Sequence, residues 1–397
     1  MARVAFIMEQ TLGHVTHARN LHAALPAHPE IAPEWLPIPF PVGRLGRLLP
    51  LYRGNWSVRA SWRARRALDQ THTRGPLDAM VFHTQVTSLF SVDRIKRIPT
   101  LISLDATPFN FDRVSALGGY THQGAGDNVI DRQKFLMNRR ALQAAATLVP
   151  WSAWARQSLV EDYGVEPARI QVLPPGAAAA FFDVGRARQA TAPQTAAVQA
   201  PHPLHGSQGA PALAPGDTRP VRVLFVGGDW ARKGGPQLLK ALSALPAGSW
   251  HLDAVTRDPV PQTPGLTVHH GVGPNSPALL RLFADADVFV LPSLGECLAV
   301  VLMEATAAGL PVITTDVGAL AEAVRPGHTG IIVPPNDVQA LRQALSTMIA
   351  DPAQRRSMGQ GGHALARERF DAAANNRALL DIVAGLVRRG SRPGRAA

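Results

Sequence analysis

Short apolar runs rich in β-branched residues recur along this chain, and each is followed by a stretch long enough for a helix. In the first half the expected strands are Arg3–Met8, Leu77–His83, Thr100–Leu104, Thr147–Pro150 and Ile170–Leu173. In the second half they are Val221–Val226, Trp250–Val255, Leu266–His270, Val288–Leu291, Pro311–Thr315 and Gly330–Val333. Helical patterns fill the gaps, among them 127–145, 234–245, 297–308, 337–349 and 371–388. This alternation is the pattern of parallel sheets with crossover helices, an α/β fold.

A chain of 397 residues favours two domains. Between Gly185 and Arg219 there is no Phe, Trp, Tyr, Ile or Met, while Ala, Pro, Gln and Gly dominate. Such a segment buries too little apolar area to offset its ordering entropy. The expected organisation is therefore a Rossmann-like domain over 1–184, a flexible linker or loop over 185–220 and a second Rossmann-like domain over 221–370. Residues 371–397 would form a terminal helix packing across both halves, then a basic tail. Open α/β sheets bind ligands at the carboxyl ends of their strands. Two such domains facing each other make the cleft between them the expected site.

Composition removes several alternatives. The single cysteine, Cys297, excludes an internal disulfide and a thiolate-rich metal site, and fits a reducing, cytoplasmic compartment. The opening MARVAFIMEQTLGH has too short an apolar run for a signal peptide. No stretch supplies about twenty uncharged apolar residues, so no membrane span is expected. The net charge of +11 is dispersed, and only Lys96, Lys134, Lys233 and Lys240 of the 40 basic residues are lysine. No nucleic-acid partner is expected from so scattered a charge. Residues 43–68 are denser, with arginines interleaved with Trp56, Trp62 and leucines. Such a region either lies on an anionic membrane surface, peripheral at its inner face, or forms a solvated helix with a packed apolar face.

The stretch GECLAVVLMEATAAGLPVITTD, 295–316, is almost wholly apolar yet carries Glu304, with Glu296 just before the run. An unpaired buried carboxylate costs several kcal/mol, roughly, so Glu304 calls for a partner. If a helix begins directly after Glu296, the two lie about 12 Å apart along its axis and on nearly one face. They would then touch two ends of an elongated ligand, with the free amides of the helix start between them as an anion site. Taken alone, the same residues also read as a helix-start carboxylate and a partly exposed helix charge. VRVLFVGGDWARKGGPQLLKAL places Arg232 and Lys233 between two glycine pairs after a strand, where a diphosphate would need counter-charge. It lacks GxxxxGK[ST], so it gives an ATPase no support. In TLGHVTHARNL, Gly13 would permit close approach of a ligand, and His14 and His17 have no nearby acidic or Cys partner to complete a metal site.

FVGGDWARKGG, LPSLGECLAVVLMEATAAGLPVITTDVGALAEAV and HTGIIVPP together resemble the donor-binding half of retaining glycosyltransferases of the GT-B fold, family 4. The E-x7-E signature is matched by Glu296 and Glu304. The first half resembles the family in its glycine turn after strand one, in WSAWARQSLVEDYGV and in IQVLPPG, so the likeness spans nearly the whole chain apart from linker and tail. It implies a hexosyltransferase acting on a nucleotide-diphosphate sugar, with no metal and no cofactor beyond that co-substrate. By the resemblance, Glu296 binds hydroxyls of the transferred sugar and Glu304 the nucleotide ribose. Arg232 or Lys233 neutralises the leaving diphosphate, and Gly228 and the backbone of Cys297, Leu298 and Ala299 complete donor binding. Gly13 and His14 fall on the acceptor side, and the basic aromatic region suggests a lipid-linked or membrane-presented acceptor.

Three departures stand out. Gly228 occupies a position where the family commonly has arginine. Cys297-Leu298-Ala299 replaces Gly-Phe-Gly, and Asp105, in SLDATPFNFD, takes the place of a histidine near the reacting carbon. Asp105 is then either catalytic or a turn aspartate. A nucleotide-sugar epimerase and a non-catalytic sugar-nucleotide-binding partner protein remain the alternatives.

Overall fold

The computed structural model describes residues 1–10, 13–41, 55–115, 129–190 and 219–390, arranged as two α/β units. The first comprises the chain up to Pro175, less a short piece beginning at Val114, together with the segment from Ala372. Its strands are β1 (Ala2–Gln10), β2 (Ile31–Pro39), β3 (Ala79–His83), β4 (Thr100–Leu104) and β5 (Thr147–Pro150), all parallel, in the order β2-β1-β3-β4-β5. Alternate side chains of β1 serve two cores. Ala5 and Ile7 meet Ala60, Ala64 and Leu68 of helix Trp56–His72 on one face. Val4, Phe6 and Met8 meet Leu379, Leu380, Val383 and Leu386 of helix Ala372–Gly390 on the other. A parallel strand covered on both faces reads as a continuous apolar run, which is why β1 is legible in the sequence.

β2 is not among the expected strands because it carries Pro33, Pro37 and Pro39. It pairs only with β1, at the sheet edge. The three prolines are spaced by even numbers, so their missing amides fall on one side of the strand, where an edge needs no donor. The expected strand Ile170–Leu173 is reduced to one bridge, Leu148 to Ile170, before Pro174 and Pro175 end it.

The second unit is chiefly Gly176–Asp371. Its strands are β6 (Val221–Val226), β7 (Trp250–Val255), β8 (Leu266–His269), β9 (Val288–Leu291), β10 (Val312–Thr315) and β11 (Gly330–Val333), again parallel, in the order β11-β10-β9-β6-β7-β8. Strand order reverses between β1 and β3 in the first unit and between β6 and β9 in the second. Crevices at the carboxyl ends of such reversals are where doubly wound sheets hold ligands.

Two expected boundaries move. The unit boundary falls at 175/176 rather than at 184, and residues 185–190 continue helix Ala179–Ala190 instead of opening a linker. Phe181 stacks edge-on with Phe283, and Arg188 donates to the carbonyls of Phe283 and Ala308, so this helix is held by the second unit. Gly185 belongs to the contact, since a Cβ there would lie 2.3 Å from the Ala307 carbonyl oxygen. Residues 191–218 of the expected linker lie outside the described residues, as does the tail from 391. The buried face of the final helix completes the core of the first unit.

No helix among the described residues is long and apolar enough to cross a membrane. In the basic aromatic region, residues 42–54 lie outside the described residues. The helix that follows differs from a uniformly solvated basic face. Arg59 is buried over the rings of Phe40 and Trp56, and Arg63 donates to the carbonyls of Pro39 and Pro41. Trp62 stays exposed, with Arg66 over its ring.

The fold makes one direct expectation. Leu380 is fully buried against β1, so Leu380→Ala should lower stability by about 2–5 kcal/mol, read as a fall in the urea midpoint.

Candidate active site

In the second unit, two strand-end turns flank the reversal of strand order, Gly227–Gly235 after β6 and Pro292–Ala299 after β9. They are knitted together by backbone and charge. The Leu294 amide donates to the Arg232 carbonyl at 2.9 Å, and the Arg232 guanidinium donates to the Gly295 carbonyl. Asp229 accepts both the Arg232 amide and its Nε at 3.0 Å. The glycine pairs admit the protein's own atoms, where the sequence pointed to a ligand. Gly234 has φ +79°, and a Cβ there would sit 2.0 Å from the Pro292 carbonyl oxygen. A Cβ on Gly227 would be 2.6 Å from Lys233 Cδ, and one on Gly228 would be 2.8 Å from Arg257 Nε.

Lys233 Nζ lies 2.8 Å from Glu296 Oε2, and Arg232 Nη1 lies 3.6 Å from the same oxygen. Burial pushes the Glu296 carboxyl up, but Lys233, then Arg232, outweigh it and hold the group below its ordinary value. Glu296 is therefore an anion. Arg232, engaged by Asp229 and Gly295, chiefly ties the turns together. Lys233 is the cation directly on Glu296.

Glu304 sits on helix Val300–Ala307, every residue of which is buried. The helix is shorter than the expected 297–308, and Glu296 lies in the bend before it. The two carboxylates thus do not share a helical face; both feel Lys233 instead. Glu304 is 6% exposed, and its carboxyl makes no hydrogen bond or ion pair among the described residues. Burial raises its pKa to about 7, with Lys233 opposing the rise. The helix ends are treated unequally. At the C-terminal end, His363 Nδ1 is 2.7 Å from the Ala307 carbonyl and Arg188 Nε donates to that of Ala308. At the N-terminal end the cap is Ala299, which offers no side-chain acceptor. Cys297, Leu298 and Ala299 are buried there. That end keeps its partial positive charge for an anion.

In the first unit, the corresponding reversal gathers histidines. His14 Nδ1 and His83 Nε2 are 2.9 Å apart, His14 Nε2 is 3.7 Å from Asp105 Oδ2, and Trp151 stacks on His83. His83 is buried and its Nδ1 has no partner among the described residues. An orphaned acceptor is less costly than an orphaned N–H, so we assign the proton to His83 Nε2, donating to His14 Nδ1. His14 Nε2–H then faces Asp105. Burial, followed by its charged-state repulsion with His14, lowers His17 to about 3, and neither of its ring nitrogens has a partner among the described residues. His83 is likewise held well below its ordinary value by burial. Glu9 braces the group by accepting from Thr84 Oγ1 at 2.6 Å and from Trp56 Nε1 at 2.9 Å. Gly13 precedes the helix with right-handed dihedrals, φ −63°, and so is not required there by backbone conformation. No group of three metal-ligating side chains occurs among the described residues.

The structure brings Arg232, Lys233, Glu296 and Glu304 together in one unit, and Gly13, His14 and Asp105 in the other. His83, Trp151, Glu9 and Arg257 were not singled out by sequence. Each stands at or just beyond a strand's carboxyl end, and that position was the available signal.

Residues 220–351 match the family model described as Glycosyl transferases group 1. The two-sheet architecture is the GT-B fold, superposing on sucrose-phosphate synthase from Thermosynechococcus elongatus with a TM-score of 0.70 at 17% identity, over 98% of this chain and 100% of that one. HepE of Anabaena, solved in complex with UDP-glucose, aligns with a TM-score of 0.63 at 16% identity, over 97% and 100% of the two chains. In sequence, the D-inositol 3-phosphate glycosyltransferase of Nocardia farcinica is 32% identical over 234 residues, 56% of this chain and 49% of that protein. The chain spans about half the length of the relatives it matches.

Glu304 should leave a pH signature. Its folded pKa, about 7, lies above the unfolded value, so the protein loses stability as pH rises from about 4.5 to about 7 and then levels off. Glu304→Gln should remove up to about 3 kcal/mol of that loss. Denaturation midpoints of both proteins without ligand should agree at pH 5 and diverge at pH 8; parallel profiles would show that Glu304 ionises normally.

Proposed function

We propose that the protein is a retaining glycosyltransferase that moves a sugar from a nucleotide-diphosphate sugar to an acceptor hydroxyl. The observation that carries the reading is the pairing, at the β6/β9 reversal, of ion-paired Glu296 and Lys233 with a buried Glu304 that has no partner among the described residues. The family match over 220–351 and the nucleotide-sugar complex of a protein with the same fold support it.

In this scheme Glu304 accepts hydroxyls of the ribose, which supply the donors it lacks in the protein. Glu296, held anionic, accepts hydroxyls of the transferred sugar. Lys233 and the uncapped helix start at Ala299 face the diphosphate. Charge on the leaving oxygens grows as the anomeric bond breaks, so Lys233 stabilises the transition state more than the ground state. The acceptor oxygen bonds to the same face that the diphosphate leaves, and its proton passes to the departing diphosphate. No carboxylate nucleophile is needed, in contrast to the paired carboxylates of retaining glycosidases. Nor does the scheme call on a metal, because the counter-charge comes from the protein. We assign the acceptor to the first unit, with His14 and Asp105 as its polar contacts beside Gly13. Exposed Trp62, with Arg66 over its ring, and exposed Phe40, with Arg59 over its ring, support a lipid-linked acceptor presented at a membrane surface.

Incubation with a panel of nucleotide-diphosphate sugars tests the reading. Nucleotide diphosphate release that increases with acceptor is expected. A changed sugar still attached to the nucleotide would make the protein an epimerase, and binding without turnover a sensor. Glu304→Ala should weaken nucleotide binding by about 1.5–3 kcal/mol, measured by calorimetry. Lys233→Ala should chiefly lower kcat, and wild-type kinetics in both variants with a true donor would overturn the site.

A further inference from the structure

Three basic side chains stand on the turns after β6 and β7, and they are used differently. Arg232 donates to Asp229 and to the Gly295 carbonyl, and Lys233 is paired with Glu296. Arg257, two residues beyond the end of β7, reaches across to the neighbouring turn and donates from Nε to the Gly228 carbonyl at 3.3 Å. Its two Nη groups have no hydrogen bond or ion pair among the described residues, and the residue is exposed.

The position of that guanidinium is built. The turn after β7 is pinned to the turn after β6 by the Gly227 amide donating to the Val255 carbonyl at 2.9 Å and by the Trp230 amide donating to Asp258 Oδ2 at 2.7 Å. The neighbouring carboxylate, Asp258, accepts from that backbone amide and makes no ion pair with Arg257 among the described residues. Gly228 supplies the room. A Cβ there would lie 2.8 Å from Arg257 Nε, 3.1 Å from Nη2 and 3.2 Å from Cζ. On the adjacent residue, the Lys233 stem approaches Gly227, where a Cβ would lie 2.6 Å from Lys233 Cδ, so each glycine of the pair is approached by a basic side chain.

We propose that Arg257 is the second cation of the diphosphate subsite, delivered from β7 into the space that Gly228 leaves open. The proposal rests on reading this site as a nucleotide-sugar site. Lys233 has its charge shared with Glu296, so it meets a diphosphate already partly neutralised. Arg257 brings an unspent planar fork, the group best matched to phosphate oxygens. Residue 228 then sets donor affinity by being glycine, since any side chain there displaces the arginine.

The test is calorimetric binding of UDP, GDP and ADP, with uridine, guanosine and adenosine as diphosphate-free controls. For the diphosphate that the wild type binds, Arg257→Ala should weaken affinity about tenfold, the worth of a charge-assisted contact at an accessible site. Binding of the matching nucleoside should not change, which separates a lost phosphate contact from a disturbed fold. Gly228→Arg in the Arg257→Ala background should recover most of the loss, because the vacated space then holds a guanidinium carried by the other turn. Wild-type diphosphate affinity in Arg257→Ala, alongside a clear loss in Lys233→Ala, would overturn the assignment of Arg257 and leave the nucleotide site standing. If the wild type binds none of the three diphosphates, the nucleotide-site reading falls and Arg257 falls with it.

Discussion

Parallel pairing of β6 with β9 is the constraint on which the rest of this site depends. The two strands are far apart in sequence and run side by side because strand order reverses between them. Their following turns therefore leave the sheet in opposite lateral directions and open a crevice that neither fills. Lys233 comes from one turn and Glu296 from the other, and their 2.8 Å contact exists only because β6 and β9 are neighbours. Without that pairing, Glu296 would carry its burial penalty with neither Lys233 nor Arg232 to offset it.

Within the crevice, charge is distributed unevenly. Lys233 and Arg232 hold Glu296 ionised, whereas burial raises Glu304, on a helix buried on all sides, to about 7. Two carboxylates of like chemistry thus have their pKa values moved in opposite directions, one by two neighbouring cations and one by burial. The short helix sharpens this contrast. His363 and Arg188 satisfy its C-terminal carbonyls, and Ala299 leaves its amide end without a side-chain acceptor. A polar ligand supplies what the protein omits, hydroxyl donors for Glu304 and negative charge for the amides.

The first unit follows the same rule with different chemistry. Its strand order reverses between β1 and β3, and His14 and His83 meet there, with Asp105 from the end of β4 beside them. His17 and His83 are neutral through burial, so of this trio only His14 has a carboxylate at its outer nitrogen. Glu9, at the end of β1, is fixed by Thr84 and Trp56, and it serves as a brace for the turn that carries His83. Both units place polar groups where parallel strands diverge, since elsewhere each sheet is covered by apolar helices.

Much of this was legible from local pattern. Apolar runs marked the strands because parallel strands are buried on both faces, and β2 was missed because its prolines mimic a break that an edge strand tolerates. Glu304 could be singled out because a lone carboxylate in an apolar helix is costly wherever the helix packs. Lys233 and Glu296 were legible through a motif whose spacing survives any arrangement of the intervening chain. Sequence did not reveal that Arg232 is absorbed by Asp229 and Gly295, that Arg257 fills the space over Gly228, or that His83 meets His14. It likewise started the helix directly after Glu296, where the chain in fact bends before Val300. Those outcomes depend on which strands are neighbours and on the space between their turns. Periodicity and composition are properties of a dozen residues at a time and carry no strand order. Only the packed sheet decides which side chains share a crevice, and so which charges are spent within the protein and which are left for a ligand.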